Sequence, residues 1–388
     1  MSRDLLLVAG SGRSGTSLLV NIVGNLGFHV PKPWVAADDS NPRGFGETQW
    51  VVDKHSALLR QANVHASDAR PAAWADTARL NLDERVNDQV LQWLQDQFSR
   101  HDQVVIKDPR LLWFLPLWHQ VGSELDAAVH VVTMLRHPAE VVSSKLHWYP
   151  HIPLVDANRV AGWANTMLFT ERATRDYRRA FVRFEDLLED WTQQIARISA
   201  QLDVPTLVNA RAREQAVAGS FVDRSLHRSK ATWEDLDLPE GLVQLTEQVW
   251  EDLLSLVDNE DVGGNATLAH LDKHREEYVS YYRHAEQVAQ STTLAATRQL
   301  PADTHTGVAK GSSQQPLLSV DQRYEDRIQQ HKERYRVLVA DHKELQVRND
   351  ALDHRLRSIE SSRTWQLLGL YRRFRTKIVP PKKPGRGA

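Results

Sequence analysis

Cysteine is absent from the 388 residues of this chain, which excludes disulfides, thiolate catalysis and metal sites built on cysteine. Formal net charge is only −2, so no overall basic field predicts binding to nucleic acid. No apolar run reaches the roughly 18 residues that read as a membrane-spanning helix. The run after Asp4 is too short for a signal peptide. These absences favour a globular, cytoplasmic protein.

Composition divides the chain into four predicted segments. Residues 1–286 alternate apolar, strand-like runs with stretches of helical periodicity. Residues 287–319 are rich in Ser, Thr, Gln, Ala and Gly and predict a flexible linker. Residues 320–360 carry apolar side chains at coiled-coil spacing, and residues 361–388 form a basic, aromatic tail.

The strand-like runs predict a parallel sheet. Residues 5–9, 104–107, 128–135 and 180–184 are mainly apolar and lack alternation, as expected of strands buried on both faces. Helical periodicity lies between them, so the segment is predicted to be an α/β domain of sheet and flanking helices.

The stretch GSGRSGTS, residues 10–17, joins the first predicted strand to the first predicted helix. It has the glycine spacing of a Walker A loop, but Thr16 takes the place of the lysine that follows the second glycine. Arg13 is the nearby cation. Backbone amides and the helix dipole at such a junction favour an anion. A Gly/Ser loop without function is the alternative.

A second candidate anion site follows the third predicted strand. Arg136 stands at its carboxyl end, and Ser144 comes eight residues later. Ligands of open α/β sheets bind outside the carboxyl ends of the strands, so Arg136 should face the same crevice as the glycine loop. Two anion sites fit one nucleotide with phosphates on both its 5′ and 3′ sides.

At these residues the sequence resembles the sulfotransferase family, whose donor is 3′-phosphoadenosine-5′-phosphosulfate (PAPS). The family's loop for the 5′-phosphosulfate is matched by Gly12, Arg13, Ser14, Gly15, Thr16 and Ser17, and its 3′-phosphate element by Arg136 and Ser144. NPRGFGE (residues 41–47), IKDPRLLWFLP (106–116) and VRFEDLLED (182–190) look like segments of bacterial carbohydrate-type and tyrosylprotein sulfotransferases. The resemblance covers about residues 3–235.

The resemblance implies a P-loop-type parallel sheet and PAPS as co-substrate. No metal is expected, because Pro150 lies between His147 and His151 and disrupts their helical i, i+4 spacing. It assigns charge stabilisation to Arg13 and Lys107, and the general base to Glu47. Arg224 and Arg228, within residues 220–230, are the best substitutes for the family's late basic loop. The chain departs from the family at Phe184, where an adenine-side tyrosine is common.

Several alternatives stay open for these residues. Glu47 is also placed to complement the dipole of the next helix from its first turn, and Lys107 reads equally as an ordinary strand-end lysine. His55 and His137 are the other candidate bases. Asp108 and Arg110 read as a structural ion pair. The tryptophans proposed to line an acceptor cleft, with core or surface anchoring as the alternative, are Trp34, Trp50, Trp148 and Trp163.

The C-terminal pattern predicts association. With Ile328 at heptad position a, Asn349 also falls at a, and Leu338, Leu345 and Leu352 fall at d, which favours a parallel homodimer. A single helix docked on a partner is the alternative. After Glu360 the tail has eight Lys/Arg interleaved with aromatic residues and no acid. It resembles an interfacial helix on anionic lipid, with a protein or nucleic-acid partner as the rival.

The sequence therefore predicts a sulfotransferase that modifies a hydroxyl of a cell-envelope glycan or glycolipid. Its predicted location is cytoplasmic, with peripheral attachment to the inner face of the plasma membrane. One rival is a P-loop kinase, which requires ATP and Mg²⁺, and the missing Walker lysine disfavours it. The other is a catalytically silent coiled-coil scaffold.

Overall fold

The computed structural model describes residues 3–150, 152, 154–223, 230–258 and 265–298. Within these residues a parallel sheet forms from β1 (Arg3–Ala9), β2 (Gln103–Lys107), β3 (Ala127–Leu135) and β4 (Arg178–Arg183). The strands lie in the order β2-β1-β3-β4, and each neighbouring pair is parallel. Each strand contains or nearly coincides with one of the predicted apolar runs. The predicted parallel α/β fold is therefore confirmed.

Helices fill the connections between the strands. The first half of the described chain contains α1 (Thr16–Asn25), α2 (Gln49–Ala62), α3 (Ala73–Asn81), α4 (Glu84–Phe98), α5 (Leu115–Glu124) and α6 (Pro138–Trp148). The second half contains α7 (Asp156–Ala173), α8 (Phe184–Glu189), α9 (Trp191–Leu202), α10 (Ala212–Gly219), α11 (Glu240–Asp258) and α12 (Asn265–Arg298).

Both faces of the sheet are covered, which explains why its strands are apolar without alternation. Leu5 and Leu7 of β1 pack into a cluster with side chains of α2 to α5. Leu6 and Val8 point to the opposite face and pack with α1 and α9. Each fully buried leucine contributes roughly 1.5–3 kcal/mol, so loss of either layer would leave the central strand exposed.

Local sequence signals set where the helices begin. The Asp83 side chain accepts hydrogen bonds from the backbone N–H groups of Arg85 and Val86 and so caps α4. Pro138 occupies the first turn of α6, where its missing N–H costs nothing. The start of α6 is thereby fixed directly after β3, which places Arg136 at the junction.

The C-terminal predictions are only partly covered by the described residues. Contacts divide the chain into a unit of residues 1–289 and a unit of residues 290–388, and the site described below lies in the first. Helix α12 continues to Arg298 and so overlaps the start of the predicted linker at Gln287, because the Gln, Ala and Leu residues there are good helix formers. The rest of the linker, the predicted coiled coil and the basic tail lie outside the described residues. None of the helices that the structure describes is both long and apolar enough to cross a membrane.

Candidate active site

Three predicted site elements meet at the carboxyl edge of the sheet. Lys107 is the last residue of β2, the glycine loop follows β1, and Arg136 follows β3. Because β1 lies between β2 and β3, the loop lies between the two cations. The chain also leaves β1 for β2 on one side and then crosses to β3 on the other. Such a switch point is where open α/β sheets bind ligands.

The loop between β1 and α1 has the geometry of an anion site. Gly15 caps α1 with φ 86°, and a Cβ there would lie 2.2 Å from Cδ2 of Phe184. The first backbone N–H groups of α1 have no acceptor within the helix, and the helix dipole favours negative charge there. The Oγ of Ser14 is buried without a hydrogen-bond partner among the described residues. An anionic oxygen would satisfy it.

Arg13 connects the two predicted anion elements. Its Nε donates to Oγ of Ser144 at 3.0 Å, and its Nη1 donates to the carbonyl oxygen of Ser40 at 3.3 Å. The guanidinium carbon lies 5.8 Å from the ring centroid of Trp148. Arg13 also adopts φ 78°, a left-handed conformation that costs a non-glycine residue about 1–3 kcal/mol. Strain of this kind is typical of functional loops.

Arg136 is buried against the loop. Its Nη1 donates to the carbonyl oxygen of Arg13 at 3.0 Å, and its Nε donates to Oε2 of Glu140 at 2.8 Å. The guanidinium carbon lies 4.8 Å from the ring centroid of Phe184. Arg136 and Ser144 therefore contact the same residue, Arg13, as the shared-crevice prediction requires.

Lys107 and Glu47 form a buried ion pair. Nζ of Lys107 lies 2.5 Å from Oε1 of Glu47 and donates to Oγ of Ser17 and the carbonyl oxygen of Phe45, each at 3.2 Å. Lys107 is thus more than an ordinary strand-end lysine. Gly46, at φ 64°, lets the chain approach α1, since a Cβ there would lie 2.0 Å from Cγ1 of Val20. This close approach brings the Glu47 carboxylate to the loop.

The dipole interpretation of Glu47 is wrong. Helix α2 begins at Gln49 with Thr48 as its N-cap, and its first turn contains no acid. Glu47 lies before the cap, and its carboxylate is turned to Lys107. The physical reason is the salt bridge, because a directly paired cation stabilises a buried carboxylate far more than the end of a helix dipole does.

One cleft of about 1060 Å³ contains these groups. The predicted site residues that line it are Gly12, Arg13, Gly15, Thr16, Ser17, Glu47, Lys107, Arg136 and Ser144. Arg224 and Arg228 lie outside the described residues, so their predicted role stays a prediction. Of the four tryptophans proposed for an acceptor cleft, Trp148 lines it, whereas Trp163 is buried in the core.

The two alternative bases do not line this cleft. Nδ1 of His55 lies 2.8 Å from Oδ2 of Asp108, and the indole N–H of Trp118 donates to its Nε2 at 2.9 Å. Both ring nitrogens are engaged in the interior. His137 packs against Trp250, and burial lowers its pKa despite the nearby Glu247. Among the residues that the structure describes, no cluster of His, Asp and Glu could hold a metal ion.

Lys145 also lines the cleft, although the sequence analysis does not single it out. Its Nζ donates to the hydroxyls of Ser11 and Ser67, each at 3.1 Å. Burial, and then the charge of Arg159, lower the pKa of Lys145 from 10.5 to about 8. No sequence signal marks Lys145, because its burial follows from how α6 packs.

The fold and this edge of the sheet define an α/β enzyme domain with an anion-binding loop, a buried lysine–glutamate pair and further cations in one cleft. Residues 6–207 match the model of the sulfotransferase family. That match spans just over half of the 388 residues. The chain belongs to the sulfotransferase family.

Two solved structures are similar to this chain, though distantly. The sulfotransferase domain of the Synechococcus PCC 7002 olefin synthase is 18% identical, with 64% of this chain and 96% of that chain covered and a TM-score of 0.35. The sulfotransferase domain from the curacin biosynthetic pathway is 17% identical, with 65% and 98% covered and a TM-score of 0.39. No curated protein matches the chain.

Proposed function

We propose that this chain moves the sulfuryl group of PAPS to a hydroxyl group of an acceptor. The contact of Lys107 with both Glu47 and Ser17 carries the proposal. It brings a cation, a carboxylate and a loop hydroxyl together where α1 begins. Family membership supports sulfuryl transfer in general, and the two linked anion elements support a donor with phosphates on both sides of its nucleoside.

The glycine loop is suited to the 5′ end of the donor. The amides at the start of α1 and the hydroxyls of Ser14 and Ser17 would bind the 5′-phosphate. The buried Oγ of Ser14, to which no described residue hydrogen-bonds, fits that assignment. Arg136 and Ser144 would bind the 3′-phosphate. PAPS supplies an activated sulfuryl group, and the protein's own side chains must stabilise the leaving group and take the proton of the acceptor.

Arg13 and Lys107 are placed to stabilise the leaving group. By analogy with phosphoryl transfer, the transition state is loose and charge builds on the oxygen that leaves sulfur. Cations fixed in a buried cleft stabilise such charge without reorganising. Lys107 is held by its three contacts, so its position is set before the reaction starts.

Glu47 is the proposed general base. It would take the proton of the acceptor hydroxyl as the hydroxyl oxygen bonds to sulfur and the bond from sulfur to the 5′-phosphate oxygen breaks. The products are a sulfate ester, 3′-phosphoadenosine-5′-phosphate (PAP) and protonated Glu47. Its contact with Lys107 keeps the carboxylate beside the loop, where the acceptor must approach.

We further propose a hydroxyl on an envelope glycan or glycolipid as the acceptor. The aromatic ring of Trp148 at the cleft supports a sugar, because aromatic faces pack against apolar sugar faces. The predicted basic tail and coiled coil support a dimeric cytoplasmic protein attached to the inner face of the plasma membrane. Both segments remain sequence predictions.

The test is transfer of label from [³⁵S]PAPS to polysaccharide and lipid fractions of the producing cells. We expect label in one of these fractions with the native protein, and a loss of about 10²–10⁴ in rate with Glu47→Gln. Glu189→Gln, at an exposed helix position, is the matched control and should transfer at the native rate. Absence of labelled acceptor would contradict the proposal, and full transfer by Glu47→Gln would contradict the role of Glu47.

A further inference from the structure

The cleft contains more cations than the donor assignment uses. Besides Arg13, Lys107 and Arg136, its lining includes Arg110, Lys145 and Arg159, together with His65 and Ser67 from the loop after α2. We call Arg110, Lys145 and Arg159 the second cation group. Its members come from the end of β2, from α6 and from α7, so the fold gathers them from distant parts of the sequence.

Arg110 is held in place by a buried hydrogen-bonded chain of Asp108, His55 and Trp118, called the relay here. Its Nη1 donates to Oδ1 of Asp108 at 2.7 Å, while the other carboxylate oxygen of Asp108 lies 2.8 Å from Nδ1 of His55. The indole N–H of Trp118 can only donate, so Nε2 of His55 is the acceptor and the proton is on Nδ1. The relay orients the guanidinium. Nε and Nη2 of Arg110 have no hydrogen-bond partner in the described ranges.

The relay also keeps Asp108 ionised. Burial alone would raise the pKa of Asp108, but the hydrogen bond with His55 and the charge of Arg110 outweigh burial and hold the pKa below its ordinary value. The charge of Asp108 therefore offsets that of Arg110 on one side only. The other side of the guanidinium faces the cleft, where 29% of the Arg110 side chain is exposed.

Lys145 and Arg159 have no carboxylate within salt-bridge distance in the described part of the chain. Lys145 donates to two serine hydroxyls. Arg159 donates from Nε to the carbonyl oxygen of Leu154 at 3.0 Å and from Nη2 to that of Ile152 at 2.9 Å. Both side chains are buried. A buried charge that no protein group neutralises is costly, and such charges are retained where a ligand pairs with them.

The three cations all lie close enough to His65 to affect its pKa. Burial lowers the pKa of His65, Asp68 opposes this, and the charges of Lys145, Arg159 and Arg110 each lower it further. One histidine beside the cleft therefore feels all three members of the group. Positive charge is concentrated on this wall of the cleft, next to Ser11 at the start of the glycine loop.

We propose that the second cation group binds an oxyanion of the acceptor, a carboxylate, phosphate or sulfate carried near the hydroxyl that is modified. The inference rests on the proposed function, because the donor occupies the glycine loop, Lys107 and Arg136 and leaves this wall to the other substrate. The acceptor is then an acidic glycan or glycolipid. Arg110 is a binding residue, and Asp108 and His55 are positioning residues behind it.

The experiment uses the full chain saturated with PAP and three probes: glucuronate, glucose 6-phosphate and neutral glucose. Binding is measured by ligand-observed NMR, and the affinity for PAP is measured separately by calorimetry. We expect at least one anionic sugar to bind, and glucose to bind with an affinity at least about tenfold lower. Arg110→Gln should lower the affinity for the anionic sugar about tenfold and leave the affinity for PAP unchanged. Arg178→Gln, at an exposed arginine paired with Asp203, is the matched control.

Lys145→Met provides a second variant with the same expectation, so a folding defect in one variant leaves the other to decide. Equal binding of glucose and the anionic sugars would overturn the proposal, as would anionic sugars that PAP displaces. Loss of PAP affinity in both variants would assign these cations to the donor and overturn it as well. Failure of the native protein to bind PAP at all would instead remove the proposed function on which the inference rests.

Discussion

Lys145→Met should change how stability depends on pH. The ammonium group is buried between two hydroxyls, and burial, together with the charge of Arg159, lowers the pKa of Lys145 from 10.5 to about 8. Since the folded pKa lies below the unfolded one, the unfolded chain binds more protons between these two values. Stability therefore rises with pH across that interval. The lysine destabilises the protein fully below pH 8 and ceases to do so above 10.5.

The magnitude follows from the size of the shift. A pKa lowered from 10.5 to about 8 corresponds to a penalty of roughly 3 kcal/mol at neutral pH. Between pH 7 and pH 9, the same linkage removes roughly 1 kcal/mol of this penalty. Methionine has a similar length and no charge, so the variant lacks the penalty. Loss of the two hydrogen bonds shifts the variant's stability by a constant that does not depend on this titration.

Guanidinium denaturation at pH 7, 8 and 9 measures the effect. Between pH 7 and pH 9, the free energy of unfolding of the native protein should rise by roughly 1 kcal/mol relative to that of Lys145→Met. Lys273→Met, at an exposed lysine, is the matched control. Parallel stability curves for the native protein and Lys145→Met would show that the ammonium is not desolvated, and would contradict the presence of a buried charge at this member of the second cation group.

Three further changes probe the donor site and the core. Arg136→Ala should lower the affinity for PAP at least about tenfold and leave the affinity for 5′-AMP unchanged in calorimetry, because a charged contact to the 3′-phosphate is lost. Equal losses of affinity for both nucleotides would refute the assignment. Gly15→Ala should lower the melting temperature and PAP affinity, since its Cβ would meet Phe184 at 2.2 Å; native values for both would contradict the loop geometry. Tyr278→Phe should cost about 1–3 kcal/mol in denaturation, because its buried hydroxyl lies 2.5 Å and 2.8 Å from the carbonyl oxygens of Ala69 and Ala161; an unchanged midpoint would refute that.

Much of the donor site could be predicted because it follows from local patterns and sheet topology. Strands buried on both faces read as unbroken apolar runs, and residues directly after parallel strands must meet at one edge. That rule predicts that Arg136 faces the same crevice as the glycine loop, whereas the role of Lys107 comes from the family resemblance. The predicted pair of Asp108 and Arg110 is also present, at 2.7 Å.

The rest depends on contacts between distant segments. His55 precedes Asp108 by 53 residues, and nothing near either residue indicates that they touch. The Lys107–Glu47 pair required a loop whose path is set by the close approach at Gly46. The burial of Lys145 could not be predicted, because a lysine in a short helix is usually exposed and only the packing of α6 shows that this one is buried.

Calorimetric titration of the purified protein with PAP, with 5′-AMP and with ATP plus Mg²⁺ tests the central claim most directly, and it requires no acceptor. The account predicts tight binding of PAP, much weaker binding of 5′-AMP and no preference for ATP with Mg²⁺. A preference for ATP with Mg²⁺ would contradict the account in favour of a kinase, and absence of binding by every nucleotide would contradict it in favour of a scaffold.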